Sequence, residues 1–185
     1  MDDLTGKLLV AMPGMTDPRF ERSVVFLCEH SEGGAMGLIV NKPTPEIDMS
    51  ELLSQLGIES TLGADTLKVH FGGPVDHGRG FVLHSPDYEA NTSTLKVTEG
   101  VGMTATLDIL EDIASGKGPK KAILALGYAG WGPGQLESEF QANGWLVGDA
   151  EPEIVFLDDS AAKWTAALKA MGVDAVALSP DAGHA

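Results

Sequence analysis

Residues 8–43, LLVAMPGMTDPRFERSVVFLCEHSEGGAMGLIVNKP, constrain the fold of this chain more than any other stretch. Apolar runs separated by two polar turns rich in Gly and Pro read as three strands. Over residues 23–30, SVVFLCEH, strict alternation puts Val24, Phe26, Cys28 and His30 on one pleat face and Ser23, Val25, Leu27 and Glu29 on the other. Both faces are apolar at its start, which predicts a central strand. His-Ser-Glu-Gly-Gly tolerates positive φ, and residues 35–41 return as a second apolar run, so the pair reads as a hairpin. Pro43, with no N–H to give a ladder, ends it.

The remaining chain repeats this pattern with helices interposed. Asp48 stands in a cap position before Met49, Leu52, Leu53 and Leu56, and Gly57 follows as the stop. Residues 66–71 alternate as a strand, residues 80–84 return, and residues 95–98 and 102–105 form a hairpin around Glu99-Gly100. A second helix carries Leu107, Leu110, Ile113 and Ala114 and ends at Gly116. Residues 122–126 form a short strand, Pro133 fits the first position of a third helix, and Asn143-Gly144 stops that helix. Residues 145–147 and 154–157 read as two further strands. A last helix is capped by Asp158-Asp159-Ser160, with Ala161, Trp164, Leu168 and Met171 as its buried stripe. Near-neighbour strands with short turns and four irregularly placed helices predict a mixed, mostly antiparallel α+β domain spanning 1–185.

Charge narrows the function classes. Twelve basic residues against 27 acidic ones give −15, and residues 122–162 contain no Lys or Arg. Proteins that bind nucleic acid neutralise phosphates with clustered cations, so direct DNA or RNA binding is disfavoured, as is adhesion to an anionic membrane. The densest basic group is Lys117, Lys120 and Lys121. A single cysteine, Cys28, excludes an intrachain disulfide and suits a reducing cytosol. The acidic start MDDLTGK lacks a signal peptide's basic region, and the longest uncharged run, residues 122–136, falls short of the ~18 residues of a membrane span. The expectation is a soluble cytoplasmic protein. No residue pattern specifies an oligomeric state.

Several long motifs point one way. Residues 8–43 taken with Phe71-Gly72-Gly73-Pro74, Arg79-Gly80-Phe81-Val82-Leu83-His84, the run Gly127-Tyr128-Ala129-Gly130-Trp131-Gly132-Pro133-Gly134-Gln135-Leu136-Glu137 and the ending Ala182-Gly183-His184-Ala185 resemble the bacterial YqgE/AlgH family. The resemblance implies a bent sheet folded toward a pseudo-barrel with helices packed outside. It also implies a regulatory role, labelled transcriptional. It further implies a docked tail that brings His184 near Arg22, His30, Asn41, Lys42 and Arg79.

Several individual residues are candidates for chemistry. Cys28 and His30, on one strand face, could pair a thiolate with an imidazolium, but same-face neighbours stand ~6.5–7 Å apart and a buried cysteine followed by a strand-end histidine is the plainer account. His70, His77 and His84 recur every seven residues, a spacing that reverses the strand face and does not match zinc ligation, so no metal is expected. Residues 127–134 lack the ending of a phosphate loop, and Glu137 and Glu139 would repel a phosphate there. No cofactor is expected. The reading favoured is a regulator acting through a protein partner or a small ligand. The alternative is a small-molecule enzyme or ligand-binding protein with catalytic candidates Cys28, His30, His84 and His184 and ligand-binding candidates Arg22, Asn41, Lys42 and Arg79.

Overall fold

A computed structural model describes residues 3–59, 67–88 and 94–173. Its axis is one long strand, β8 (Ala122–Trp131), numbered in chain order after β1 (Lys7–Ala11), β2 (Val24–Ser31), β3 (Gly34–Ile39), β4 (Val69–Phe71), β5 (Val75–His84), β6 (Thr94–Lys96) and β7 (Gly102–Thr104) and before β9 (Trp145–Asp149). The sheet runs β6-β7-β5-β8-β3-β2-β1-β9, with β4 also paired to β8. Every pairing is antiparallel except β4 with β8. The predicted α+β architecture is observed, and the sheet curls into a half-barrel.

On one edge of β8 the partner is β5; on the other it is first β4, at Leu124–Leu126, and then β3, at Ala129–Trp131. The change of partner falls at Gly127, whose φ is 78°. A Cβ there would meet the Gly73 carbonyl oxygen at 2.6 Å, and one at Gly73, φ 157°, would meet the Tyr128 backbone at 2.0 Å, so only glycine permits the two backbones to cross this closely. The kink also resets the pleat. Leu124 and Leu126 pack under α1 (Met49–Gln55) and α2 (Leu107–Ala114), whereas Ala129 and Trp131 pack under α3 (Gln135–Gln141). Tyr128 joins Ile123 and Ala125 in the inner cluster, covered by α4 (Pro152–Val155) and α5 (Lys163–Ala170).

Local signals account for most element ends. The Asp48 side chain accepts the Ser50 N–H at 3.0 Å and starts α1, while Gly57, Gly116 and Asn143 all take positive φ just past helix ends, as read from the sequence. Three expectations need correction. Residues 154–157 are not a strand: Pro152 at the helix start presets φ, and α4 buries Ile154 and Val155 against α5. Helix α3 begins at Gln135, after Gly134 in the left-handed region, so Pro133 lies outside it. Ala161 is exposed in a 3-10 turn (Ser160–Ala162) that precedes α5, and the buried stripe of α5 is Lys163, Trp164, Ala167 and Leu168. Among the described residues no helix is long and apolar enough to cross a membrane.

Candidate functional site

At the Trp131 end of β8 a cleft of about 380 Å³ opens between the loop of residues 12–23 and the start of α3. Loop and helix come from the two longest motifs of the sequence. The loop is held at both ends: the Met12 N–H donates to the Gly144 carbonyl, the Asn41 amide donates to the Arg22 carbonyl at 2.8 Å and accepts from the Val24 N–H, and the Lys42 ammonium donates to the Arg19 carbonyl at 3.0 Å. Burial pushes the Lys42 ammonium below its ordinary range. Arg22 has φ 53° and its guanidinium lies 5.3 Å from the Trp164 ring. Of the predicted ligand-binding residues, Asn41 and Lys42 hold loop backbone, that of Arg22 and Arg19, while the Arg22 guanidinium lies over Trp164.

Pinned in this way, the loop presents Phe20, which stacks on Trp131 at 6.3 Å and meets the edge of Trp145 at 5.7 Å. Beneath them one Glu139 oxygen accepts both indole N–H groups, at 3.2 Å from Trp131 and 2.9 Å from Trp145, and the other accepts the Gln135 amide at 3.1 Å. Arg19 at the rim is paired with Asp17 at 2.7 Å, and its hydrogen bonds hold the Asp17 carboxyl below the usual carboxylate range. Val75, 40% exposed, completes the opposite lip. The walls are aromatic and aliphatic, and the carboxylates around them already accept hydrogen bonds. Such a cleft can hold a planar apolar group, and the two carboxylates that line it, Asp17 and Glu139, are already engaged in hydrogen bonds.

The sequence profile described as AlgH-like matches residues 8–176. The chain belongs to the AlgH-like family. A UPF0301 protein of Ruegeria pomeroyi is 62% identical over 184 residues, covering 99% of this chain and 100% of that protein, and one of Paracoccus denitrificans is 58% identical over 185 residues, covering 99% and 97%. Among solved structures, the solution structure of AlgH from Pseudomonas aeruginosa superposes with a TM-score of 0.79 at 40% identity over 99% of this chain and 96% of AlgH. A Corynebacterium diphtheriae protein shares the fold with a TM-score of 0.72 at 21% identity, over 92% of this chain and 88% of its own.

The remaining candidates of this AlgH-like chain lie apart. Between Leu27 and Glu29 the β2–β3 register slips by one residue, a bulge at Cys28. Alternation is reversed beyond it, so Cys28 packs in the inner cluster with Phe26 while His30, opposite Ala35, lies on the other face with α3. The shared face read from the sequence is thus corrected. Burial, then the neighbouring Glu29, pushes the Cys28 thiol up to about 12, so it stays a thiol. His30 accepts the Leu4 N–H on Nδ1 at 3.0 Å and donates from Nε2 to Glu137 at 2.8 Å, leaving neither ring nitrogen open. His84 is enclosed: Nδ1 donates to the Ser85 carbonyl and Nε2 accepts from Thr104 at 2.8 Å, and burial holds the ring below its ordinary range. The Arg79 guanidinium lies 5.1 Å from the Phe81 ring. His184 and the tail lie outside the described residues.

His70, His77 and His84 do not converge. His70 is buried against Ser160, His77 meets the edge of Phe71 at 5.6 Å, and His84 packs beside Tyr88. Among the described residues no group of three or more His, Cys, Asp or Glu side chains could hold a metal ion. Phe20, Trp145, Glu139 and Lys163 were missed. Two tryptophans bracketing a seven-residue helix with a glutamate inside it is a usable signal for Trp145 and Glu139; nothing local marks Phe20 or Lys163.

Proposed function

We propose that this protein is a non-catalytic regulatory binding protein whose cleft seats an aromatic side chain of a protein partner. The observation that carries the reading is the Phe20–Trp131 wall over a Glu139 carboxylate that already accepts three hydrogen bonds, a recess built for shape and apolar contact. A net charge of −15 speaks against nucleic acid as the direct partner and leaves transcriptional control to an intermediary protein. The enzyme reading draws little support, since Cys28 and His30 lie on opposite sheet faces and His84 is enclosed.

The test is a titration of isotope-labelled protein with N-acetyl-tryptophanamide, followed on the indole N–H resonances. Saturable shifts at Trp131 and Trp145, weakened about tenfold by Phe20→Ala or Val75→Ser, are expected. Shifts confined to other surfaces, or sequence-selective DNA binding that survives physiological salt, would sink the reading.

A further inference from the structure

A second cavity, of about 310 Å³, lies at the Ala122 end of β8, roughly 30 Å of strand from the aromatic cleft, and shares no lining residue with it. Lys68, Lys120 and Lys121 line it, together with His70, Asp158 and Ser160. Three of the chain's twelve cations thus meet at one recess of a strongly acidic protein. Asp158 lines the recess with them, and the Asp87 carboxylate lies near enough to Lys120 to feel its charge.

The lysines are held in place. The Lys120 N–H donates to Asp87 and the Lys121 N–H to the Ser85 hydroxyl, each at 3.0 Å, and the Lys121 carbonyl accepts the Ser85 N–H. Lys68 donates one ammonium proton to the Asp158 carbonyl and keeps two. Among the described residues no ion pair involves Lys68, Lys120 or Lys121. On the cavity wall the His70 Nδ1 faces the Lys68 carbonyl and so carries its proton, leaving Nε2 to accept from Ser160 Oγ at 2.8 Å. Burial, with the ammonium of Lys163 behind it, holds His70 down to about 4 and the ring neutral. Ser160 Oγ therefore presents lone pairs to the cavity, as Asp158 does, and Ile113, Ile123 and Phe156 supply an apolar side.

We propose that this cavity binds a small phosphorylated polyol, with its phosphate among Lys68, Lys120 and Lys121 and its hydroxyl groups donating to Ser160 and Asp158. Three lysines lining one recess suit a dianion with several oxygens, and the acceptors of Ser160 and Asp158 beside them suit hydroxyl donors. The volume lies at the small end of ligand sites and admits a molecule the size of a triose or pentose phosphate. This goes beyond the aromatic-cleft reading and stands or falls separately from it.

Glycerol 3-phosphate and inorganic phosphate, titrated at matched ionic strength into isotope-labelled full-length protein, provide the test. Saturable shifts of the Lys68, Lys121 and Ser160 amides are expected, with the polyol phosphate several-fold tighter than inorganic phosphate. Lys120→Ser with Lys121→Ser should weaken binding about tenfold, whereas Lys96→Ser with Lys169→Ser, the same charge change away from the cavity, should alter it less than about twofold. Equal weakening by the two double variants, or no preference for the polyol, overturns the proposal. So does sedimentation with phosphatidic acid vesicles lost in the cavity variant, which would assign the phosphate to a lipid headgroup.

Discussion

At its Ala122 end β8 lies beside Lys68, Lys120 and Lys121 and the paired His70 and Ser160; at its Trp131 end the same strand lies beside Phe20, Trp145 and Glu139. The aromatic end turns its polar atoms inward, where two indoles and an amide occupy one carboxylate. At the basic end no close ion pair engages Lys68, Lys120 or Lys121 among the described residues. A ligand at the first end must bring apolar surface, because the hydrogen bonds are already made. A ligand at the second must bring charge. One strand supports both because Gly127 resets its pleat between them.

The largest effect on this comparison is expected from removing that reset. Gly127→Ala forces a Cβ to 2.6 Å from the Gly73 oxygen at φ 78°, and it should cost about 3 kcal/mol or more in chemical denaturation while disturbing both ends together. An effect confined to one end would show that the strand tolerates the change locally. Acid should come next, acting at the basic end. His70 titrates at about 4 in the folded chain against an ordinary 6.5, so the unfolded chain binds the extra proton between these values. Stability is therefore full above about 6.5 and declines as pH falls toward 4, by up to about 3 kcal/mol, less whatever solvent relaxation relieves. Denaturation at stepped pH should show this decline, and His70→Gln should flatten it.

Glu139→Leu isolates the aromatic end. Two indole N–H groups lose their acceptor, about 2 kcal/mol should be lost, and tryptophan emission should change, while phosphate titration at the other end stays as it was. The smallest effect separates packing from charge. Lys163 is fully buried, donates to the Val40 carbonyl at 2.7 Å and is pushed down to about 8 by burial. Lys163→Met keeps the stem and should fall within about 1 kcal/mol of the parent, whereas Lys163→Ala should cost about 2–4 kcal/mol by thermal or urea unfolding.

Where a local rule decides the outcome, the residues were enough. Asp48 caps, Gly57 and Gly116 stop helices, and Glu99-Gly100 turns a hairpin, each through chemistry within a few positions. Residues 154–157 were misread because a short apolar run is equally a strand or one buried helical turn, and Pro152 was the overlooked arbiter. The bulge at Cys28 depends on how many residues β3 sets against β2, a property of the pair. Lys163 finds its acceptor 123 residues away, beyond any window. Arg22, Asn41, Lys42 and Arg79 read from the sequence as ligand-binding; that Asn41 and Lys42 hold loop backbone became visible only with the loop in place.

Cys28 carries a practical consequence. The residue is 3% exposed, and its thiol, the only sulfhydryl in the chain, is kept protonated in the folded state. The thiol can ionise, and an alkylating reagent can reach it, only when the inner cluster comes apart. The rate of labelling at this one atom is therefore a built-in clock for opening of the half-barrel, readable by mass spectrometry on the unaltered protein.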